Sequence, residues 1–168
     1  MDPSSQFTLP RTGHVLANRS VLAAMTNKQS HEDGTLSDEE IRWLVRRAKD
    51  GFAITTTAAA NVTEHGRGWE GEMGVWGDHQ LPGLTKMATQ LKATGTLSLA
   101  QIFHGGMRAP QSLNQVQPVS ASENTEAGMD GLYTRALTHD EVVEMIQSFT
   151  DAAVRCQKAG FAGVELHG

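Results

Sequence analysis

The feature that most constrains this chain is an alternation. Four short apolar or β-branched segments are separated by stretches whose apolar residues recur at helical spacing. The first segment, Val21-Leu22-Ala23-Ala24-Met25, is continuously apolar and too short for a helix, which suits a strand buried on both faces. Residues 52–57, 96–103 and 161–167 read as the second, third and fourth strands, with β-branched and apolar runs bounded by glycine or polar residues. Between the first two strands, Ser37-Asp38-Glu39-Glu40 matches a capping box: the Ser37 hydroxyl accepts from the Glu40 amide while the Glu40 carboxylate reaches back. Ile41, Leu44, Val45 and Ala48 then mark a helix face, and Asp50-Gly51 supplies the stop. Leu84, Met87, Ala88 and Leu91 mark a second helix that ends at Gly95. Thr138-His139-Asp140-Glu141 repeats the capping box, and Val142, Val143, Ile146, Phe149, Ala153 and Cys156 form the expected core face of a third helix stopped by Gly160.

Strands joined by helices rather than by tight turns imply right-handed crossovers and a parallel sheet, so the class is α/β. A (β/α)8 TIM barrel takes about 250 residues. The 168 residues here supply about its first four strands and three helices, so the expectation is the amino-terminal portion of a single barrel domain. An open four-stranded sheet is the other possibility, and its uncovered edges would invite association into a homo-oligomer. Two segments without periodicity, residues 60–77 and 104 to about 137, are long loops, and long loops are often functional.

Composition removes several function classes. Fourteen basic against 19 acidic side chains give a formal charge of −5, with no basic cluster longer than Arg46-Arg47, which argues against nucleic acid as a partner. No apolar run approaches the ~20 residues that cross a bilayer. The start of the chain, MDPSSQFTLPRTG, carries no apolar leader pattern, and the single cysteine, Cys156, fits a reducing compartment, so a cytoplasmic location is expected. The seven histidines form no pair at metal-site spacing, so no metal site is expected. Gly66-Arg67-Gly68-Trp69-Glu70-Gly71 satisfies a dinucleotide fingerprint as text, but it opens no periodic helix.

In parallel sheets and barrels, ligands bind at the carboxyl ends of the strands. Here those ends carry Thr26, Thr57, Gln101 with His104, and His167. Any one of these alone fits a side chain that merely satisfies backbone groups; four strands in agreement point to a site. In the first long loop, Trp69 and Trp76 lie where they could cover a ligand, and Cys156 reads as a buried, inert thiol.

Several of these segments resemble one family. Asn18-Arg19-Ser20-Val21-Leu22-Ala23-Ala24-Met25-Thr26 resembles the first-strand motif of the Old Yellow Enzyme family of FMN-dependent NAD(P)H oxidoreductases. Gln101-Ile102-Phe103-His104-Gly105-Gly106 and residues 159–168, ending Glu165-Leu166-His167-Gly168, are similar to its third- and fourth-strand segments. The resemblance implies a TIM barrel that binds FMN, takes electrons from NADH or NADPH, and passes hydride to a small-molecule acceptor such as an unsaturated carbonyl. It places Ala24, Met25 and Thr26 along the flavin ring, Thr57 or Ala58 at the second-strand contact, and Gln101 on the pyrimidine edge. His167 would be the first of two donors to the acceptor oxygen; the second donor, a tyrosine and the phosphate-binding loops are expected beyond Gly168, in a complementary carboxyl-terminal half. The sequence departs from the family pattern at Ala24, where proline is usual, at Thr57, where a small residue is usual, and at Met107, where arginine is usual. A half-barrel fragment inactive without its complement, and a barrel that binds another ligand, are the other readings.

Overall fold

Four of the strands assemble side by side in chain order. The computed structural model describes residues 2–125 and 133–168. An antiparallel ribbon of β1 (Phe7–Thr8) and β2 (Val15–Leu16) comes first, then β3 (Val21–Leu22) and α1 (Asp38–Lys49). Next come β4 (Ile54–Asn61), the short β5 (Met73–Gly74), α2 (Leu81–Lys92) and β6 (Leu97–Phe103). A long excursion carries α3 (Gln111–Asn114), β7 (Val119–Ser120), β8 (Asn124–Thr125) and β9 (Tyr133–Ala136), and the chain continues through α4 (His139–Ala159) into β10 (Gly163–Leu166).

The main sheet runs β10-β6-β4-β3, with every pairing parallel and β5 added beside the end of β4. Each βα unit therefore lays its strand next to the previous one, whereas a doubly wound sheet reverses direction partway. Helix α1 packs on α2 and α2 on α4, so all three cover one face. Their buried residues, among them Ile41, Leu44, Met87, Leu91, Ala152 and Cys156, share one core with Leu22, Ala60, Ala100 and Ile102 of the strands. This is the wall of a (β/α)8-type barrel: parallel strands inside, helices outside.

The caps form mostly as the sequence implies. Ser37 Oγ accepts from the Glu40 amide at 3.1 Å, acidic residues occupy the first turn of α1, and Arg46, Arg47 and Lys49 occupy the last, matching the helix dipole. At α4 the Thr138–Glu141 box is complete, and Gly160 ends the helix at φ 98°, a left-handed value that favours glycine.

Four expectations need correction. Glu40 does not reach back to its cap: it is 1% exposed and accepts instead from Asn27 Nδ2 at 3.0 Å and Ser30 Oγ at 2.5 Å. A carboxylate taken that deep needs tertiary donors more than the helix end needs a second acceptor. The first strand is only Val21–Leu22, because β4 pairs with it over two residues. Residues 104–137 are not a featureless loop, since β7, β9 and β8 form a small sheet; residues 126–132 of that segment lie outside the described residues. The expected core face of α4 is buried only in its second half: Val142, Val143 and Ile146 are exposed, because the neighbouring helix α2 meets α4 around Ala152, Cys156 and Ala159.

Candidate functional site

On β6 burial alternates, with Ala100 and Ile102 in the helix-side core and Leu99, Gln101 and Phe103 on the opposite, interior face. Register extends that face sideways. Glu165 of β10 pairs with Gln101, and on the other side Ala59 of β4 pairs with Gln101 as well. Partners directly opposite in a sheet point the same way. Gln101 Nε2 donates to Glu165 Oε1 at 2.6 Å, which holds the amide in one orientation over the interior.

Ala59 reaches this position through an irregularity. The β4–β6 register shifts between Thr56 and Ala59, so Thr57 and Ala58 together oppose one residue of β6. Thr57 is fully buried, its hydroxyl donates to the Ala58 carbonyl at 2.7 Å, and the same oxygen accepts from the Gln101 N–H at 3.1 Å. The hydroxyl is thus spliced into the ladder. Ala58 is 6% exposed within the same irregular stretch. Ala59 was not among the residues singled out from sequence. The unusual Thr57 is the one clue to it, since a hydroxyl between two strands can stand in for a main-chain acceptor.

Three loops meet at the carboxyl ends of the strands. Ser30 N donates to the Gly71 carbonyl, Arg67 Nη1 donates to the Glu32 carbonyl at 2.9 Å, and Asn114 exchanges hydrogen bonds with both backbone groups of Arg67. Gly71 has φ 70° and packs on the Lys28 carbonyl, so a side chain there would collide with backbone. The Trp69 ring lies 5.7 Å from Phe103, and Phe103 lies 5.0 Å from the His167 ring. His167 continues the β10–β6 pairing through its amide, which donates to the Ile102 carbonyl at 3.0 Å. An aromatic row, Trp69-Phe103-His167, therefore stands beside Gln101 on the interior side of the strand ends.

Ala24, Met25 and Thr26 follow β3 outside any regular element; Ala24 is half-buried, and Met25 and Thr26 are exposed. Among the described residues, no hydrogen bond or ring contact joins these three to Gln101 or His167. His104 belongs to the scaffold: its Nδ1 accepts from the Gly106 amide at 3.0 Å, a side chain at Gly66 would strike its ring, and burial holds its pKa below the usual histidine range. Trp76 turns away, packed edge-on against His79 and over Gly34 and Gly74. Among the described residues no group of three or more His, Cys, Asp or Glu is arranged to hold a metal, and no helix is long and apolar enough to cross a membrane.

The chain is similar to proteins that share this architecture. It is 37% identical over 159 residues to a probable NADH-dependent flavin oxidoreductase of Bacillus subtilis (strain 168), covering 94% of this chain and 42% of that protein. The structure superimposes on 2-naphthoyl-CoA reductase with a TM-score of 0.91 at 27% identity, covering 98% of this chain and 26% of the other. On an old yellow enzyme homologue from Zymomonas mobilis the TM-score is 0.90 at 24% identity, covering 99% of this chain and 48% of the other, a likeness of fold. The chain thus spans less than half the length of each. Because the NADH:flavin oxidoreductase / NADH oxidase family model matches residues 11–168, nearly the whole chain, the protein belongs to that family.

Proposed function

We propose that residues 1–168 are the amino-terminal part of one FMN-binding barrel domain and form the flavin-ring side of an NADH- or NADPH-dependent oxidoreductase that reduces a small acceptor such as an unsaturated carbonyl. The observation that carries the proposal is the Gln101–Glu165 pair on the interior face, with Ala59 on one side and the Phe103–His167 pair on the other. These residues fit a flavin. Its pyrimidine edge presents both donors and acceptors, which a carboxamide can meet with its own two functions, and Glu165 fixes which way Gln101 turns them. Ala59 adds no bulk beside Gln101, as a planar ring requires.

When bound, FMN supplies hydride transfer from the nicotinamide to the acceptor, and the protein's part is binding, orientation and electrostatics. Gln101 orients the ring. Ala24, Met25 and Thr26 would lie along the ring, with Thr57 or Ala58 at the second-strand contact. The His167 ring N–H donates to the acceptor oxygen, where negative charge grows as hydride is added. Trp69 and Phe103 keep water from that oxygen. The exposed apolar strip of Ile146, Val154 and Leu166 supports a complementary carboxyl-terminal half as the element that covers α4 and β10.

The test is a titration of FMN into the 168-residue protein, followed by quenching of flavin fluorescence, for the wild type and Gln101→Leu. Losing the amide's hydrogen bonds, worth about 1–1.5 kcal/mol, should weaken FMN roughly tenfold with the fold unchanged. Equal affinity of the two proteins would remove Gln101 from the site, and absence of quenching in the wild type would refute flavin binding by this chain.

A further inference from the structure

Glu72 has no place in the site as described so far, yet it is 2% exposed. Its Oε2 accepts from the Gly68 amide at 2.6 Å, and the Trp69 amide also donates to this carboxyl. Its Oε1 is buried with no hydrogen-bond partner among the described residues. Arg67 does not pair with it: the Arg67 terminal nitrogens are committed to the Glu32 and Leu113 carbonyls, and its Nε is itself buried without a partner among the described residues. The two amides that Glu72 holds are those of the residues that deliver the Trp69 ring to Phe103.

We infer that Glu72 is a positioning residue: by gripping the Gly68 and Trp69 amides it sets the Trp69 ring against Phe103 and, through Phe103, beside His167. That this ring borders a reacting acceptor rests on the function proposed above; the clamp itself rests on geometry alone.

A buried carboxyl without a counter-ion favours its uncharged form, and burial pushes Glu72 up to about 8, against weaker opposing effects of the two amides and Arg67. Among the described residues, the charged and titratable groups around this loop include Glu64, His65, Arg67 and Glu70 of the loop itself, Lys28 and Glu32 of the segment before α1, His104 at the end of β6, and His167 after β10; α3 presents the neutral Asn114. An uncharged carboxyl keeps a carbonyl-type acceptor for the two amides. Glutamine retains that acceptor and the shape, and methionine retains only the volume.

The experiment is fluorine NMR of the full chain labelled with 5-fluorotryptophan, which has three tryptophans, with Trp69 assigned by Trp69→Phe. In the wild type the Trp69 resonance should shift with a midpoint near pH 8, while Trp43 and Trp76 stay still. Glu72→Gln should hold the Trp69 resonance at its low-pH position with no titration. Glu72→Met should displace or broaden it. A Trp69 resonance that is static from pH 6 to 10 in the wild type, or that titrates equally in Glu72→Gln, overturns the inference. If Glu72→Met fails to fold, the glutamine variant still decides. Because no flavin is present, failure of the clamp and failure of flavin binding are read in separate experiments.

Discussion

Replacing Thr57 by valine removes one oxygen from inside the sheet and keeps nearly the same volume. In the native fold that oxygen accepts from the Gln101 N–H at 3.1 Å, and its proton goes to the Ala58 carbonyl at 2.7 Å, in a residue with no exposed surface. The register shift leaves Thr57 and Ala58 opposite a single residue of β6, so the hydroxyl does the work of a main-chain acceptor there. Thr57→Val strands a buried donor, which costs about 1–3 kcal/mol, offset in part by the extra apolar surface buried. Thr57→Ser keeps the oxygen and loses one buried methyl, about 1 kcal/mol. Global stability in urea therefore separates the two variants poorly. Amide exchange separates them well. The Gln101 amide should exchange about 10–100-fold faster in the valine variant than in the serine variant, since 1.4 kcal/mol is a factor of ten. Neighbouring β6 amides bonded to ordinary carbonyls should change far less. Equal protection of the Gln101 amide in both variants would refute the spliced hydroxyl.

Two further outcomes follow from the same structure. Glu141 accepts from Arg135 at 2.5 Å and from the Thr138 amide at 2.8 Å, and the Arg135 bond holds its carboxyl down at about 2. A depressed carboxylate stabilises the fold above its unfolded value near 4.5 and loses that contribution as pH falls towards 2. The urea midpoints of wild type and Glu141→Gln should therefore differ at pH 6 by a gap that narrows as pH falls below about 4.5 and closes only below about 2; a constant gap would show that the charge is irrelevant. Cys156 is fully buried, and burial pushes its thiol up to about 11, so it should resist a disulfide reagent at pH 8 and react once urea unfolds the chain. Rapid reaction of the native protein would contradict its place in the core.

The residues at the site divide by how far their surroundings could be read in advance. Gln101 and His167 stand out because strand ends in parallel sheets gather ligands, and alternation along residues 97–103 indicates which side chains share a face. Ala59 was hidden by one extra residue in β4, since counting at a period of two places it on the wrong side until the shift is known. Trp69 and Trp76 lie seven residues apart in one aperiodic stretch, yet one faces Phe103 and the other Gly34 and Gly74.

What the sequence determines by itself is whatever depends on near neighbours along the chain. The order of the four parallel strands and the three long helices, the Ser37 and Thr138 caps, the stop at Gly160 and the buried stripe Leu84, Met87, Ala88 and Leu91 all arise from interactions within a few residues, and the lack of any long apolar run argues against a helical membrane span. Tertiary structure decides whatever depends on register and on which group loses its water. It turns the Glu40 carboxylate to Asn27 and Ser30, leaves Val142, Val143 and Ile146 exposed, routes the Gln101 amide to the Thr57 hydroxyl, and buries Glu72 under the amides that carry Trp69. The physical reason is the same in each case. Hydrogen-bond partners and desolvation for these groups come from residues distant in sequence, and no local pattern encodes which of them arrives.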